Sequence, residues 1–306
     1  MPITEGKCRN AVFWGIGSVA GLFLLALSFQ SHQPPVSPED TYRNIVKKSE
    51  ALSQLRISLL TSGQMEKNAV MAITDEESKA FADQSRAASA AAEESNKLIH
   101  SLVDASSLKE EQRFALEFDN CWGELRKLDQ TILELAVQNT NLKAARLSQE
   151  RGAETMQRFT GALTDLINFH AGQPHASRIN ELSYRAATAA LTLFTLHSSH
   201  IAEASDVNMD QIEKQMKLDE DMTRQSLAAL DGLVAAEDRE ALARAQAALT
   251  DFLAVTTEVI ELSRQNSNVK SFELSLGRKR KVAAQCDEIL STFQETVHNR
   301  TFKATR

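Results

Sequence analysis

The chain has 306 residues, enough for two domains, and its 42% hydrophobic and 25% charged residues exclude an intrinsically disordered chain. The net charge of −7 excludes a general nucleic-acid-binding surface, since the only dense basic run is 278–281. That run is predicted to be a solvated helix face, with contact to an anionic partner or lipid as the alternative. All five prolines lie outside the periodic segments, which predicts an all-α fold after about residue 40.

The amino terminus is predicted to anchor the chain in a membrane. Residues 11–29 carry no charge and follow Lys7 and Arg9. About 20 apolar residues span a bilayer, and basic residues favour its cytoplasmic side. We therefore expect a cytoplasmic segment at 1–10, a single transmembrane helix at 11–30 in the cytoplasmic membrane, and the bulk of the chain in the periplasm. A cleaved signal peptide ending near Ala26-Leu27-Ser28 is the competing interpretation.

After a Pro-rich spacer at 31–39, periodicity and cap signals predict two tandem, antiparallel up-down four-helix bundles. The first bundle is expected at 40–170, with its second helix opened by the capping box Thr74-Asp-Glu-Glu77. A hinge at 171–174, marked by Gly172 and Pro174, leads to the second bundle at 175–300 and a tail at 301–306.

The predicted helices end near residues 73, 103, 137 and 170 in the first bundle. In the second they cover roughly 175–204, 205–234, 236–265 and 267–300. The Asn-rich segments at 138–141 and 265–268 are predicted to be turns between the third and fourth helices, because Asn favours caps and turns. The alternative is one long helix in each half, with breaks at Gly152 and Gly277.

An internal repeat supports the two bundles. Residues 134–143 read ELAVQNTNLK, and residues 261–270, 127 positions later, read ELSRQNSNVK. Seven apolar heptad positions between 114 and 135 recur at the same offset between 241 and 262. The repeated polar residues Asn139, Asn141, Lys143, Asn266, Asn268 and Lys270 are predicted to cap helices at the turns, or to form a polar ring that contacts a partner. The two bundles are further expected to pack as an internal pseudo-dimer with a ligand groove between them.

This layout resembles the four-helix-bundle sensory module of methyl-accepting chemotaxis receptors, here as a tandem pair. The resemblance rests on the segments 74–78, 138–143, 200–206 and 262–270, and it covers about 40–300. It implies a module outside the cytoplasmic membrane that binds a small molecule and pairs with a second copy. No second apolar stretch, relay segment or long cytoplasmic coiled coil precedes Arg306, so we expect no signalling domain of its own.

Candidate ligand contacts are Arg56, His197, His200 and Glu203. Arg56 lies among leucines, where a guanidinium suits carboxylate capture or extends to solvent. His197, His200 and Glu203 interrupt an apolar stripe near a predicted helix end. They are interpreted as solvated positions, with ligand or partner contact and a transition-metal site as alternatives. Only one His-x-x-Glu occurs, whereas a di-metal bundle needs Glu-x-x-His on two helices, so no metal site is predicted.

The sequence contains no motif for catalysis or for cofactor binding. There is no Gly-x-Ser-x-Gly, no Gly-rich phosphate loop and no Cys-x-x-Cys-His, so neither an enzyme nor a cofactor is predicted. Cys121 and Cys286 lie on the apolar seams of different predicted bundles. They are expected to be small buried hydrophobes, because a disulfide would require the two cores to merge.

The sequence therefore predicts a membrane-anchored sensory or ligand-binding module, with a small molecule and either a second copy or a signalling receptor as partners and no nucleic acid. The alternatives are a structural or adaptor protein that binds a partner membrane receptor, and a fragment of a truncated receptor.

Overall fold

The computed structural model describes residues 38–103, 107–234 and 239–304. Within these ranges the chain is helical and contains no β-strand, which confirms the all-α class. The predicted membrane helix, the amino-terminal segment and nearly all of the spacer lie outside the described residues. Among the helices that are described, none is both long and apolar enough to cross a bilayer.

Eight helical segments follow one another in the described chain. They are α1 (Pro38–Met71), α2 (Asp75–Leu102), α3 (Lys109–Ala136), α4 (140–169), α5 (Ala176–Ala202), α6 (Asp206–Asp231), α7 (Arg239–Gln265) and α8 (267–304). Two of them contain a π-helical turn, Ser148–Gly152 in α4 and Ser275–Lys279 in α8. Thr74 caps α2 as predicted, since its hydroxyl accepts a hydrogen bond from the Glu77 amide at 3.1 Å.

The predicted turns at 138–141 and 265–268 are wrong. Asn139 and Asn266 take left-handed conformations with φ of 51° and 55°, and the chain then continues into α4 and α8. The eight segments therefore form six helices, of which α3–α4 and α7–α8 are rods about 90 and 100 Å long at 1.5 Å per residue. The alternative of long helices was correct, and the irregular turns do contain Gly152 and Gly277.

The two rods run antiparallel along their length. Phe114 packs on Phe293 with ring centroids 5.9 Å apart, and Thr140 meets Ser267 at 3.1 Å. Beyond that crossing, Asp165 pairs with Arg244 at 2.9 Å. Because neither rod folds back on itself, each one contributes a helix to both ends of the molecule.

The predicted bundle boundaries, 40–170 and 175–300, are consequently wrong. One apolar core is built from α1, α2, α3 and α8, which we call module I. The other is built from α4, α5, α6 and α7, which we call module II. The last helix of each half of the sequence packs in the other half's module: α4 belongs to module II and α8 to module I. The reversal of the chain at 170–175 therefore lies inside module II rather than between two bundles. A heptad seam shows which face of a helix is buried but not which helices cover it.

The prediction that Cys121 and Cys286 stay apart is corrected by the same exchange. Because α8 belongs to module I, Cys286 faces Cys121 of α3, and the two form a disulfide with their Cα atoms 5.7 Å apart. The equivalent pair in module II, 127 residues away, is Ala248 and Phe159, both buried in that core.

The modules meet end to end at a reciprocal hydrogen-bond network. The Thr140 amide donates to the Ser267 hydroxyl and the Ser267 amide donates to the Thr140 hydroxyl, at 3.1 and 3.0 Å. The backbone amides of Asn141 and Asn268 likewise donate to the Oδ1 atom of each other's side chain. Two repeats with reciprocal contacts are related by a pseudo-two-fold axis. The expected pseudo-dimer of two separate bundles with a ligand groove between them is corrected, since the modules have exchanged helices and meet end to end at buried hydrogen bonds.

Candidate functional site

Module I contains an open groove of about 710 Å³ between α2 and α3. Small residues on both helices hold it open, among them Ser85, Ser89 and Ala90 on α2 and Gly123 on α3. A Cβ added to Gly123 would meet nothing within 4 Å, so space remains there for a ligand. Arginine, lysine and glutamate side chains form the rim, and the floor reaches the core at Ser62 and Asp129.

A buried charged cluster lies beneath this floor. The Lys279 ammonium contacts Oε2 of Glu66 and Oδ1 of Asp129, each at 2.6 Å. These residues come from α8, α1 and α3, and they are at most 6% exposed. Burying charges in this way costs several kcal/mol per ion unless each is fully paired.

The pairing in this cluster is incomplete. Two carboxylates share one ammonium, and Oε1 of Glu66 has no hydrogen-bond partner among the described residues. Burial raises the pKa of the Asp129 carboxyl above its usual value; Lys279 opposes that increase and Glu66 adds to it. The cluster therefore retains an acceptor oxygen, and it carries one excess negative charge when both carboxylates are ionised.

The π-helical turn places Lys279 in this position. It adds one residue to the α-helical repeat and so changes the face on which the following side chains lie. The predicted solvated face at 278–281 is thus wrong for Lys279, which is 4% exposed, although Arg278 does lie at the surface and pairs with Glu124. Lys279 also lines a second groove, of about 510 Å³, between α1 and α8.

Module II has no charge at the equivalent positions. Residues 127 away from Glu66, Asp129 and Lys279 are Leu193, Thr256 and Gly152, all buried. A module of the same helical design therefore packs without the charged cluster. The architecture does not require module I to bear the free-energy cost of burying these three charges, and this favours a functional role for the cluster.

The candidate ligand contact Arg56 lies in module I but away from this cluster. Its guanidinium donates to Oδ1 of Asp287 at 3.0 and 3.1 Å and to Oε1 of Gln294 at 3.1 Å. Both partners lie on α8, so Arg56 links α1 to α8 at the surface. A role of Arg56 in ligand binding stays a prediction.

His197 and His200 lie in module II and are fully buried, so the interpretation as solvated positions is wrong. His197 is hydrogen-bonded to Ser148 and Thr256 at 2.9 and 3.1 Å. Burial lowers the pKa of His197 to about 4, with a contribution from His200, so its ring is neutral at pH 7. Both ring nitrogens of this histidine are satisfied within the core.

His200 connects the core to a surface ion pair. It is bonded to Ser263 and to Glu213, each at 2.8 Å, and Arg264 donates to the same oxygen of Glu213 at 2.7 Å. Burial raises the pKa of Glu213, but hydrogen bonds from Arg264 and His200 outweigh it and the net shift is downward. The side chain of Glu203 caps the Ser205 amide at 2.8 Å. The four candidate contacts therefore do not form one site, and their role in ligand binding stays a prediction.

The repeated polar residues all lie where the modules meet. Asn139 donates to Asp75 of module I, and Asn266 donates to the Glu203 carbonyl of module II. Lys143 and Lys270 bond the carbonyls of Gln138 and Gln265, at 2.8 and 2.9 Å, and so cap the helices that precede them. The predicted capping role holds for the lysines, while the asparagines join the two modules to each other.

Sequence reasoning missed Glu66, Asp129 and Lys279. The available signal was charge beside an apolar seam, since Asp129 directly follows the seam residue Leu128. Its partners, however, come from the first and last helices of the chain, and no local pattern links them. Within the described residues, no group of three or more His, Cys, Asp or Glu side chains is arranged to hold a metal ion.

No model of a known protein family and no curated protein matches this chain. The candidate site is therefore defined by its geometry alone: a groove in module I whose floor reaches an incompletely paired, buried cluster of three charges.

Proposed function

We propose that this protein is a sensory module that binds a small molecule outside the cytoplasm, held to the cytoplasmic membrane by residues 11–30 and similar to the input modules of methyl-accepting chemotaxis receptors. The observation that carries the proposal is the module I groove above the Glu66–Asp129–Lys279 cluster. It combines space with a polar floor, features that ligand sites share, and Asp129 connects that floor to the cluster in which Oε1 of Glu66 is unsatisfied. The proposal is binding without catalysis.

The position of the cluster supports a signalling role. Asp129 and Lys279 belong to the two long rods, and the rods continue from module I into module II. A ligand that hydrogen-bonds to Asp129 would contact the α3–α8 pair directly. A change in the packing of that pair would extend along both rods to the junction at Thr140 and Ser267.

The test is a thermal-shift screen of the purified protein against amino acids, organic acids, amines, sugars and divalent metals. A ligand that binds only the folded state raises the melting temperature by mass action, with a gain of about 2.7 kcal/mol at 100 times its Kd. A melting temperature unchanged by every class in the screen would overturn the proposal.

A second candidate function, an adaptor that binds a partner receptor or a second copy, is favoured by one surface. Ile57, Leu60 and Met71 lie on one face of α1 and are 57, 66 and 72% exposed. On this hypothesis, an Ile57→Glu/Leu60→Glu variant should abolish self-association or receptor capture while it keeps the wild-type circular dichroism spectrum. Unchanged sedimentation and unchanged capture would count against the adaptor.

A further inference from the structure

The charge balance of the buried cluster points to the chemistry of the ligand. Glu66 and Asp129 supply two carboxylates, and Lys279 supplies the one ammonium that contacts both. When both carboxylates are ionised, the cluster carries one negative charge more than positive. A buried charge that is not balanced is costly, so the cluster gains most from a group that brings a positive charge and an N–H donor.

The groove gives such a group access to the cluster. Asp129 lines the groove between α2 and α3 and contacts Lys279 on its other side. The Ser62 and Ser85 hydroxyls, bonded to each other at 3.2 Å, lie on the same floor and offer further acceptor oxygens. A slender ligand therefore finds oxygen atoms at the bottom of the groove.

The charges on the rim nearly balance, so the buried cluster decides the sign of the ligand. Arg126 pairs with Glu93, Arg86 with Asp83 and Glu94 with Lys97, at 2.8, 2.9 and 2.8 Å, which leaves Lys127 and Glu134 as the other rim charges. Glu134, also on the rim, accepts a hydrogen bond only from the neutral amide of Gln130 among its described contacts. An anionic ligand would meet a buried cluster of its own sign, whereas a second ammonium on a longer cation would meet Glu134.

We propose that the module I groove binds an organic cation with a protonated amine, which donates to Asp129 and balances the Glu66–Asp129–Lys279 cluster. This rests on the proposed sensory function and names the class of ligand. The donor is the ammonium N–H, the acceptors are the Asp129 carboxylate and the floor hydroxyls, and no covalent step is involved. A protonated amine also occurs in amino acids, so the test separates diamines from amino acids.

The test is isothermal titration calorimetry on the full-length protein in a mild detergent, with putrescine, lysine and succinate as probes. Wild-type protein is expected to bind putrescine, and Asp129→Asn is expected to weaken that binding at least tenfold because it removes the excess charge at constant shape. Asp219→Asn in module II is the matched control, since Asp219 is also an aspartate that is 6% exposed, and it should bind like the wild type.

A second variant locates the site without touching the cluster. Gly123→Leu places a side chain in the groove where a Cβ meets nothing within 4 Å, and it improves helix propensity, so the variant should fold. It is expected to abolish putrescine binding. Gly161→Leu, a helical glycine of module II with equally open surroundings, is its control and should leave binding unchanged.

The outcomes separate this inference from the proposed function. Binding of putrescine that Asp129→Asn and Gly123→Leu both weaken supports the inference, and stronger binding of lysine than of putrescine assigns the site to a cationic amino acid. Binding of succinate alone, or putrescine binding that neither variant changes, overturns the cation site and leaves the sensory function standing. Absence of binding by every probe, together with a flat thermal-shift screen, overturns both.

Discussion

Reduction of the Cys121–Cys286 disulfide is expected to lower the free energy of unfolding by about 5 kcal/mol if the two modules unfold together. The bond joins residues 165 positions apart. In the chain-entropy model a closed loop of that length restricts the unfolded state by about 17 cal/mol/K, which is about 5 kcal/mol at 25 °C. The loop contains all of module II, because α4 to α7 lie between the two cysteines.

A smaller loss is expected if module I unfolds while module II stays folded. Folded module II keeps the hydroxyls of Thr140 and Ser267 3.1 Å apart, so the chain between them no longer counts as flexible loop. The effective loop is then roughly 40 residues and the stabilisation about 4 kcal/mol. The size of the loss therefore reports whether the modules are one cooperative unit.

The assay is urea unfolding followed by far-ultraviolet circular dichroism, with and without reductant, extrapolated linearly to water. A Cys121→Ala/Cys286→Ala variant is the control for reduction of Cys8, which lies outside the described residues. The reduced protein and the variant should agree apart from the packing lost with two sulfur atoms. A loss below about 1 kcal/mol in both would refute this loop-closure reasoning.

Three further changes have expected outcomes. Lys279→Met should lower the free energy of unfolding by about 3–5 kcal/mol in urea titrations, because it leaves Glu66 and Asp129 buried without a counter-charge; a loss under 1 kcal/mol would show that the cluster is solvated. Acidification from pH 7 to 4 should cost about 3 kcal/mol more in the wild type than in His197→Phe, because the pKa of His197 is about 4 when folded and 6.5 when unfolded. That loss begins as pH falls through 6.5, where the unfolded chain takes up the proton first, and parallel pH profiles would contradict it. Asn139→Ala should be about 1 kcal/mol less stable than Asn139→Gly, since both lose the side chain but only Ala is strained at a φ of 51°. Equal urea midpoints of unfolding for the two variants would contradict a left-handed conformation at this position.

The sequence predicted the individual helices well because their signals are local. The capping box at Thr74 and the apolar seam of α3 each depend on residues within a few turns. The 127-residue offset also identified equivalent positions correctly, since Thr140 and Ser267 meet across the pseudo-two-fold axis at that separation. Local patterns of this kind are set by propensity and periodicity.

The arrangement of the helices was not predictable in the same way. Asn at 139 is compatible with a tight turn and with a single left-handed residue that lets the chain continue, because Asn tolerates both. That one backbone choice decides whether α4 packs in module I or in module II. The charged cluster depends on the equivalent choice at Asn266, since Lys279 reaches Glu66 and Asp129 only when α8 packs in module I.

The exchange of helices also determines how the molecule would respond to being cut. The chain reverses between Phe169 and Ala176, where Gly172 has a φ of 77°. Cleavage there would yield two fragments, each with three helices of one module and one helix of the other. Neither fragment holds a complete core, so the pair should reconstitute only by fragment complementation. Because Cys121 and Cys286 fall in different fragments, a nicked molecule would stay covalently joined until it meets a reductant.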